Sequence, residues 1–208
     1  MYSHKVRHGF FRGWQKYLKT DYRTLIACGL LWLVTAPQVV AAGATTEVSN
    51  FGSNPGNLRM FKYIPDQLPG SAPLIVVLHG CKQNEPTYAN EAGWVQLADK
   101  LHVVLVMPAQ VQENNANNCF NWFQPANATR GKGEALSIRQ MVDKMTRDHN
   151  IDPKRIYVTG LSAGGAMTSV MLATYPEVFA AGASSQACRT DVRRTRPRDW
   201  MSRMRSSA

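Results

Sequence analysis

Ser162 is the residue in this 208-residue chain whose type and setting most directly suggest chemistry. It lies in Gly160-Leu161-Ser162-Ala163-Gly164, a G-x-S-x-G pattern. Five-residue Gly/Ser matches are common in loops, so the pattern means little alone. Its surroundings add weight. Ile156-Tyr157-Val158 reads as a strand running straight in, and an Ala/Met-rich segment reads as a helix running straight out. A serine on so sharp a strand-to-helix turn is held with its hydroxyl exposed, near a helix N-terminus that favours developing negative charge. The competing reading is a helix-capping turn with no chemistry.

A serine nucleophile also needs donors for the oxyanion it creates. His79-Gly80-Cys81 directly follows the apolar run Leu74–Leu78. A loop in that place supplies one backbone N–H and the residue after the nucleophile supplies the other. This assigns the amides of Cys81 and Ala163 to the oxyanion hole, with Gly80 letting the backbone come close. His79 precedes the serine, whereas this arrangement runs Ser, then Asp/Glu, then His. It is therefore expected to orient or pack the oxyanion loop, grouped with the substrate-binding residues, and not to act as the base.

These residues need a frame, and the chain spells one out. Leu58–Ile64 alternates as a strand does, and Leu74–Leu78 is a continuous apolar run of the kind buried on both faces of a parallel sheet. A helix is expected from Asn90 to Leu101, then a strand over Val103–Met107 closed by Pro108. The stretch from Gln110 to Gly133 is polar and without periodicity, apart from Cys119-Phe120-Asn121-Trp122-Phe123. A helix over Glu134–His149, a strand over Arg155–Thr159 and a helix over Ala163–Thr174 complete the series. Strands alternating with helices mean an α/β fold, a mostly parallel sheet with helices on both faces.

The net charge of +10 invites a nucleic-acid reading. Met1–Arg23 holds six Lys/Arg against one Asp, and Cys188–Ala208 holds seven Arg against two Asp, while the stretch between them is neutral. A nucleic-acid binder needs its basic side chains clustered on the folded surface. The excess here lies on two flanks, so nucleic acid is not an expected partner. Residues 1–44 read as a signal peptide: a basic region, an apolar run from Leu25 to Val40, and small residues at Ala41-Ala42-Gly43-Ala44. An uncleaved anchor is the competing reading and the only route to a membrane. Export to the extracellular space or periplasm implies an oxidising compartment, where disulfides persist.

Taken together, His79-Gly80-Cys81, Asn121-Trp122-Phe123 and Gly160–Gly165 resemble the poly(3-hydroxybutyrate) depolymerase family of secreted esterases, with its feruloyl and acetyl-xylan esterase relatives. The resemblance covers about residues 57–182. It implies an α/β-hydrolase fold and hydrolysis of a carboxylic ester through an acyl-serine, without metal or organic cofactor. The substrate would be a polyester, an oligoester or a plant cell-wall ester. It also implies that Trp122 and Phe123 border the substrate groove, although they could equally cover apolar surface beneath a long loop. A Cys81–Cys119 disulfide is implied as well.

The chain departs from the family after Ser162. Its five histidines are His4, His8, His79, His102 and His149, so none follows the nucleophile, and the expected triad Asp and His are absent. Residues 45–183 are read as the N-terminal part of the catalytic domain, incomplete on its C-terminal side. Residues 184–208 are read as an Arg-rich tail outside the family pattern. Codons permitted for Ser184–Arg193, read one base earlier, can spell the family's continuing segment, which makes the tail an expected out-of-frame product. The fold is then expected to end at an exposed strand and to be unstable, with impaired activity. The alternatives are a secreted, non-catalytic binding protein derived from an esterase, or a serine peptidase on the same fold.

Overall fold

The computed structural model describes residues 45–185. The expected signal peptide lies outside the described residues, as does all but the first two residues of the expected tail. The elements in order are β1 (Thr46–Val48), β2 (Arg59–Tyr63), β3 (Ala72–Leu78), α1 (Glu85–Glu91), α2 (Trp94–Leu101), β4 (Val104–Ala109), α3 (Pro125–Ala128), α4 (Gly133–Asp148), β5 (Ile151–Leu161), α5 (Ala163–Thr174) and β6 (Ala181–Ser185). The strands form one sheet in the order β1-β2-β4-β3-β5-β6. β1, β2 and β4 pair antiparallel, and β4, β3, β5 and β6 pair parallel.

β3 is buried along its whole length and shows why the apolar run is continuous. Leu74, Val76 and Leu78 point to one face, where they meet Ile138, Met141 and Met145 of α4 and Met167 and Met171 of α5. Ile75 and Val77 point to the other, toward Tyr88 of α1 and Val95 and Ala98 of α2. Period-two alternation thus feeds two separate cores, and the sheet is apolar on both sides.

The structure corrects several expected boundaries. The helix expected over 90–101 is two helices, broken at Ala92-Gly93, where Gly93 takes φ 74°. That left-handed conformation is one a residue with a Cβ adopts at a cost, and it turns the chain between the two helices. The first starts earlier than periodicity suggests because Asn84 caps it, accepting from the Thr87 N–H at 3.1 Å. β4 runs through Pro108 to Ala109, because β3 stops pairing with β4 at Val106 while β2 continues to Ala109. β5 begins at Ile151, ahead of the expected start, with an irregular register around Pro153. The long polar loop contains the short helix α3, and α5 has the expected limits.

Candidate active site

Parallel pairing brings the two chemical segments together. Leu78 of β3 is in register with Gly160 of β5, and both strands end at the same edge of the sheet. The His79–Cys81 loop and the serine turn therefore leave side by side. A Cβ built on Gly80 would lie 3.5 Å from the Leu161 carbonyl oxygen, so the two turns are close at the backbone.

Ser162 sits between β5 and α5 with φ 54° and ψ −116°, a conformation strained for any residue with a side chain. Its N–H donates to the Ser185 carbonyl at 2.9 Å, which anchors the turn to β6. Ser162 is exposed, and although it occupies the N-cap position its side chain makes no capping hydrogen bond. The hydroxyl is thus available, which is what the capping-turn reading does not predict. Ala163 opens α5, where the first-turn amides have no intrahelical acceptor. The glycines on either side are needed for packing. A Cβ on Gly160 would stand 2.3 Å from the Gly164 carbonyl oxygen.

His79 is 1% exposed. Its Nδ1 donates to the Gly80 carbonyl at 2.7 Å and its Nε2 accepts from the Gln110 N–H at 3.0 Å. Burial holds its pKa below the ordinary value, which favours this neutral form. Both nitrogens are committed to backbone, so the ring serves the loop and offers no polar atom to a substrate. That corrects the grouping of His79 with substrate-contacting residues. Nor do the other described histidines approach the serine. His102 and His149 precede β4 and β5, at the opposite edge of the sheet from Ser162.

Cys81 and Cys119 are joined by a disulfide, with Cα atoms 4.3 Å apart. The Lys82 N–H donates to the Asn117 carbonyl at 2.6 Å alongside it, so the long loop is tied to the loop after β3 twice. Trp122 is half-buried against the α4/α5 core, and its ring meets Phe123 edge-on at 5.8 Å. Phe123 is 59% exposed. Of the two aromatic residues, Trp122 covers apolar surface while Phe123 stands in solvent.

Sequence reasoning missed a buried polar group beneath this loop. Glu134, fully buried at the start of α4, accepts from Gln110 Nε2 at 2.8 Å, Asn121 Nδ2 at 2.7 Å and the Asn121 N–H at 2.9 Å. Burial raises its pKa, against the pull of those donors. One signal was available: Glu134 lies four residues before Ile138, on the same stripe as Met141, Val142 and Met145. A carboxylate on the apolar face of a helix needs partners.

Residues 61–193 match the family described as "Esterase PHB depolymerase". The chain belongs to that family of carboxylic ester hydrolases. It is 53% identical over 165 residues to a poly(3-hydroxyalkanoate) depolymerase C of Paucimonas lemoignei, a match covering 77% of this chain and 39% of the relative. It is 40% identical over 156 residues to a feruloyl esterase B of Neurospora crassa, covering 74% and 52%. Among solved structures, an acetyl xylan esterase from Aspergillus awamori superposes with TM-score 0.64 at 31% identity, over 69% of this chain and 53% of that one. The fold is that of the α/β-hydrolases. The chain spans about half or less of the length of these relatives.

Among the described residues, no helix is long and apolar enough to cross a membrane, and no group of three or more His, Cys, Asp or Glu could hold a metal.

Proposed function

We propose that this chain carries the nucleophile and the oxyanion donors of a serine esterase. Ser162 Oγ attacks the ester carbonyl, and the Cys81 and Ala163 N–H groups receive the oxyanion. Collapse of the tetrahedral intermediate releases the alcohol and leaves an acyl-serine, which water hydrolyses. The observation that carries this reading is the strained, exposed Ser162, uncapped at the head of α5 and level with the Gly80-Cys81 turn. The substrate class is a carboxylic ester of the polyester, oligoester or plant cell-wall kind that the relatives' names describe.

No histidine follows Ser162 in this chain, and those described are placed elsewhere. Without a base to take its proton the serine hydroxyl is a weak nucleophile, and the oxyanion donors and binding alone give on the order of 10³–10⁴ over water in well-studied triad enzymes. Ser162 helped only by the groups placed among the described residues is expected to turn over slowly. Hydrolysis of p-nitrophenyl acetate, with intact mass to catch an acetyl adduct, tests the assignment. The adduct and the excess rate should vanish in Ser162→Ala; a rate unchanged by that substitution removes the nucleophile. A second reading is a non-catalytic esterase-derived binding protein, and a wild-type chain that binds an ester analogue without ever acylating would support it. On either reading residues 1–44 direct export, where the Cys81–Cys119 bridge persists. N-terminal sequencing of the exported chain should begin near Gly43 or Thr45, and an intact Met1 in a membrane fraction would indicate an anchor.

A further inference from the structure

We propose that Glu134 is a positioning residue for the oxyanion site, acting through Gln110 and His79. The inference rests on the oxyanion reading of the Gly80–Cys81 peptide given above.

The Gly80 carbonyl and the Cys81 N–H are two ends of one planar peptide group, and no described peptide bond is cis. Whatever pins the carbonyl therefore sets the direction of the N–H. His79 Nδ1 holds it at 2.7 Å, and the Gln83 N–H makes a longer contact to it at 3.4 Å. An imidazole donates from Nδ1 and accepts at Nε2 in only one neutral tautomer. The Gln110 N–H selects that tautomer, because a backbone N–H can only donate and it faces Nε2 at 3.0 Å. The aim of the oxyanion amide thus depends on where the Gln110 backbone stands.

Gln110 is held on every side-chain atom that can bond. Its Oε1 accepts from the Val111 N–H at 3.0 Å and from Asn114 Nδ2 at 2.7 Å. Its Nε2 donates to the Cys119 carbonyl at 3.2 Å and to Glu134 Oε1 at 2.8 Å. The last contact is the charged one, and charge-assisted hydrogen bonds are about twice as strong as neutral ones. Glu134 receives three N–H contacts from Gln110 and Asn121, a set that suits only an acceptor. Among the described residues its carboxylate forms no ion pair. A buried carboxylate without a cation is expensive to keep. Here it clamps the first residue after β4 to the residue before Trp122, and through the first it reaches His79.

The test reads the relay itself and needs no turnover. In ¹⁵N-labelled protein the His79 ring nitrogens should report a single Nδ1–H tautomer, and the Gln110 amide should be protected from exchange. Glu134→Gln takes the charge out of the 134–110 contact, and Gln110→Glu replaces its donor with a second carboxylate. Both should mix the His79 tautomers, shift the Cys81 amide and speed Gln110 exchange about tenfold, the scale of one lost hydrogen bond. The double variant exchanges the amide and the carboxylate, so the contact can re-form and the His79 signals should recover. Asn121→Ala removes the Nδ2 donor of the other arm while its backbone N–H stays on Oε2, and it should leave His79 unchanged. If Glu134→Gln does not fold, Gln110→Glu against Asn121→Ala carries the comparison. A folded Gln110→Glu chain with unaltered His79 signals overturns the relay, as does an equal response to Asn121→Ala. Neither outcome depends on whether Ser162 acylates, so a wrong nucleophile assignment would be distinguished separately.

Discussion

Gly164 packs directly against Leu78: a Cβ on Gly164 would stand 2.3 Å from the Leu78 carbonyl oxygen and 2.5 Å from that of His79. The first turn of α5 is therefore seated on the very backbone that leads into the Gly80–Cys81 turn. Ala in place of Gly164 would force these two segments apart, since the atoms it meets are backbone and not a flexible side chain. Gly164→Ala is expected to cost at least about 1–3 kcal/mol, the range for overpacking a close contact. It should also abolish Ser162 acylation even where the chain stays folded. Urea unfolding and acyl-adduct mass check both; a variant with wild-type stability would mean that the elbow is not seated as described.

The fold was legible where the sequence period reports burial directly. β3 and α5 follow from an unbroken β-branched run and from an Ala/Met-rich segment behind a serine turn, because both are packed on nearly every side. The break at Gly93 was hidden because Trp94, Leu97, Ala98 and Leu101 keep helical spacing only after it, and the capping Asn84 lies outside that window. Gln110, Asn121 and Glu134 were illegible as a set: their contacts join a strand end, a loop and a helix, and no local period links them. Ser162 and Cys81 could be paired in advance because each follows a strand in a recurring arrangement.

Glu85 sets a pH dependence of stability. It is 2% exposed, and neither carboxyl oxygen has a hydrogen-bond partner. Burial pushes its pKa up to about 8, with Arg59 opposing. A raised carboxyl pKa means that the folded state holds a proton the unfolded state has released, so stability is fully present below the ordinary value of 4.5 and is lost as pH rises through about 8. Between pH 6.5 and 9 the loss should be about 2 kcal/mol, at 1.36 kcal/mol per pH unit. His79 and His149 have lowered pKa values and titrate mainly below this window. Urea midpoints should fall across it in the wild type and fall less in Glu85→Gln. Equal slopes in the two proteins would rule Glu85 out as the cause.

The Cys81–Cys119 bridge closes a separation of 38 residues. Chain-entropy accounting for a loop of that size gives about 4 kcal/mol, ignoring any structure left in the unfolded chain. Cys81→Ser/Cys119→Ser should lower stability by an amount of that order and loosen Trp122, read as stronger acrylamide quenching of its fluorescence relative to a Trp122→Phe control. A loss under about 1 kcal/mol would show that the Lys82–Asn117 contact and the Glu134 clamp hold the loop without the bridge.

Ser162 itself should be a stability liability. Its φ of 54° with ψ −116° lies where a Cβ is crowded and glycine is not. Such backbone strain costs on the order of 1–3 kcal/mol and persists where function needs the geometry. Ser162→Gly removes the strain without removing a capping bond, because the hydroxyl makes none. Ser162→Ala keeps the Cβ and therefore the strain. The two variants should be equally unable to form an acyl adduct, yet the glycine variant should melt higher than the alanine one, by about 2–4 °C per kcal/mol for a domain of this size. Added freedom of the unfolded glycine chain works against this by roughly 0.5–1 kcal/mol, so the margin is smallest if the strain is at the low end of its range. A glycine variant that melts below the alanine one would mean that the turn is not held under strain, and the case for a built nucleophile would lose its geometric support.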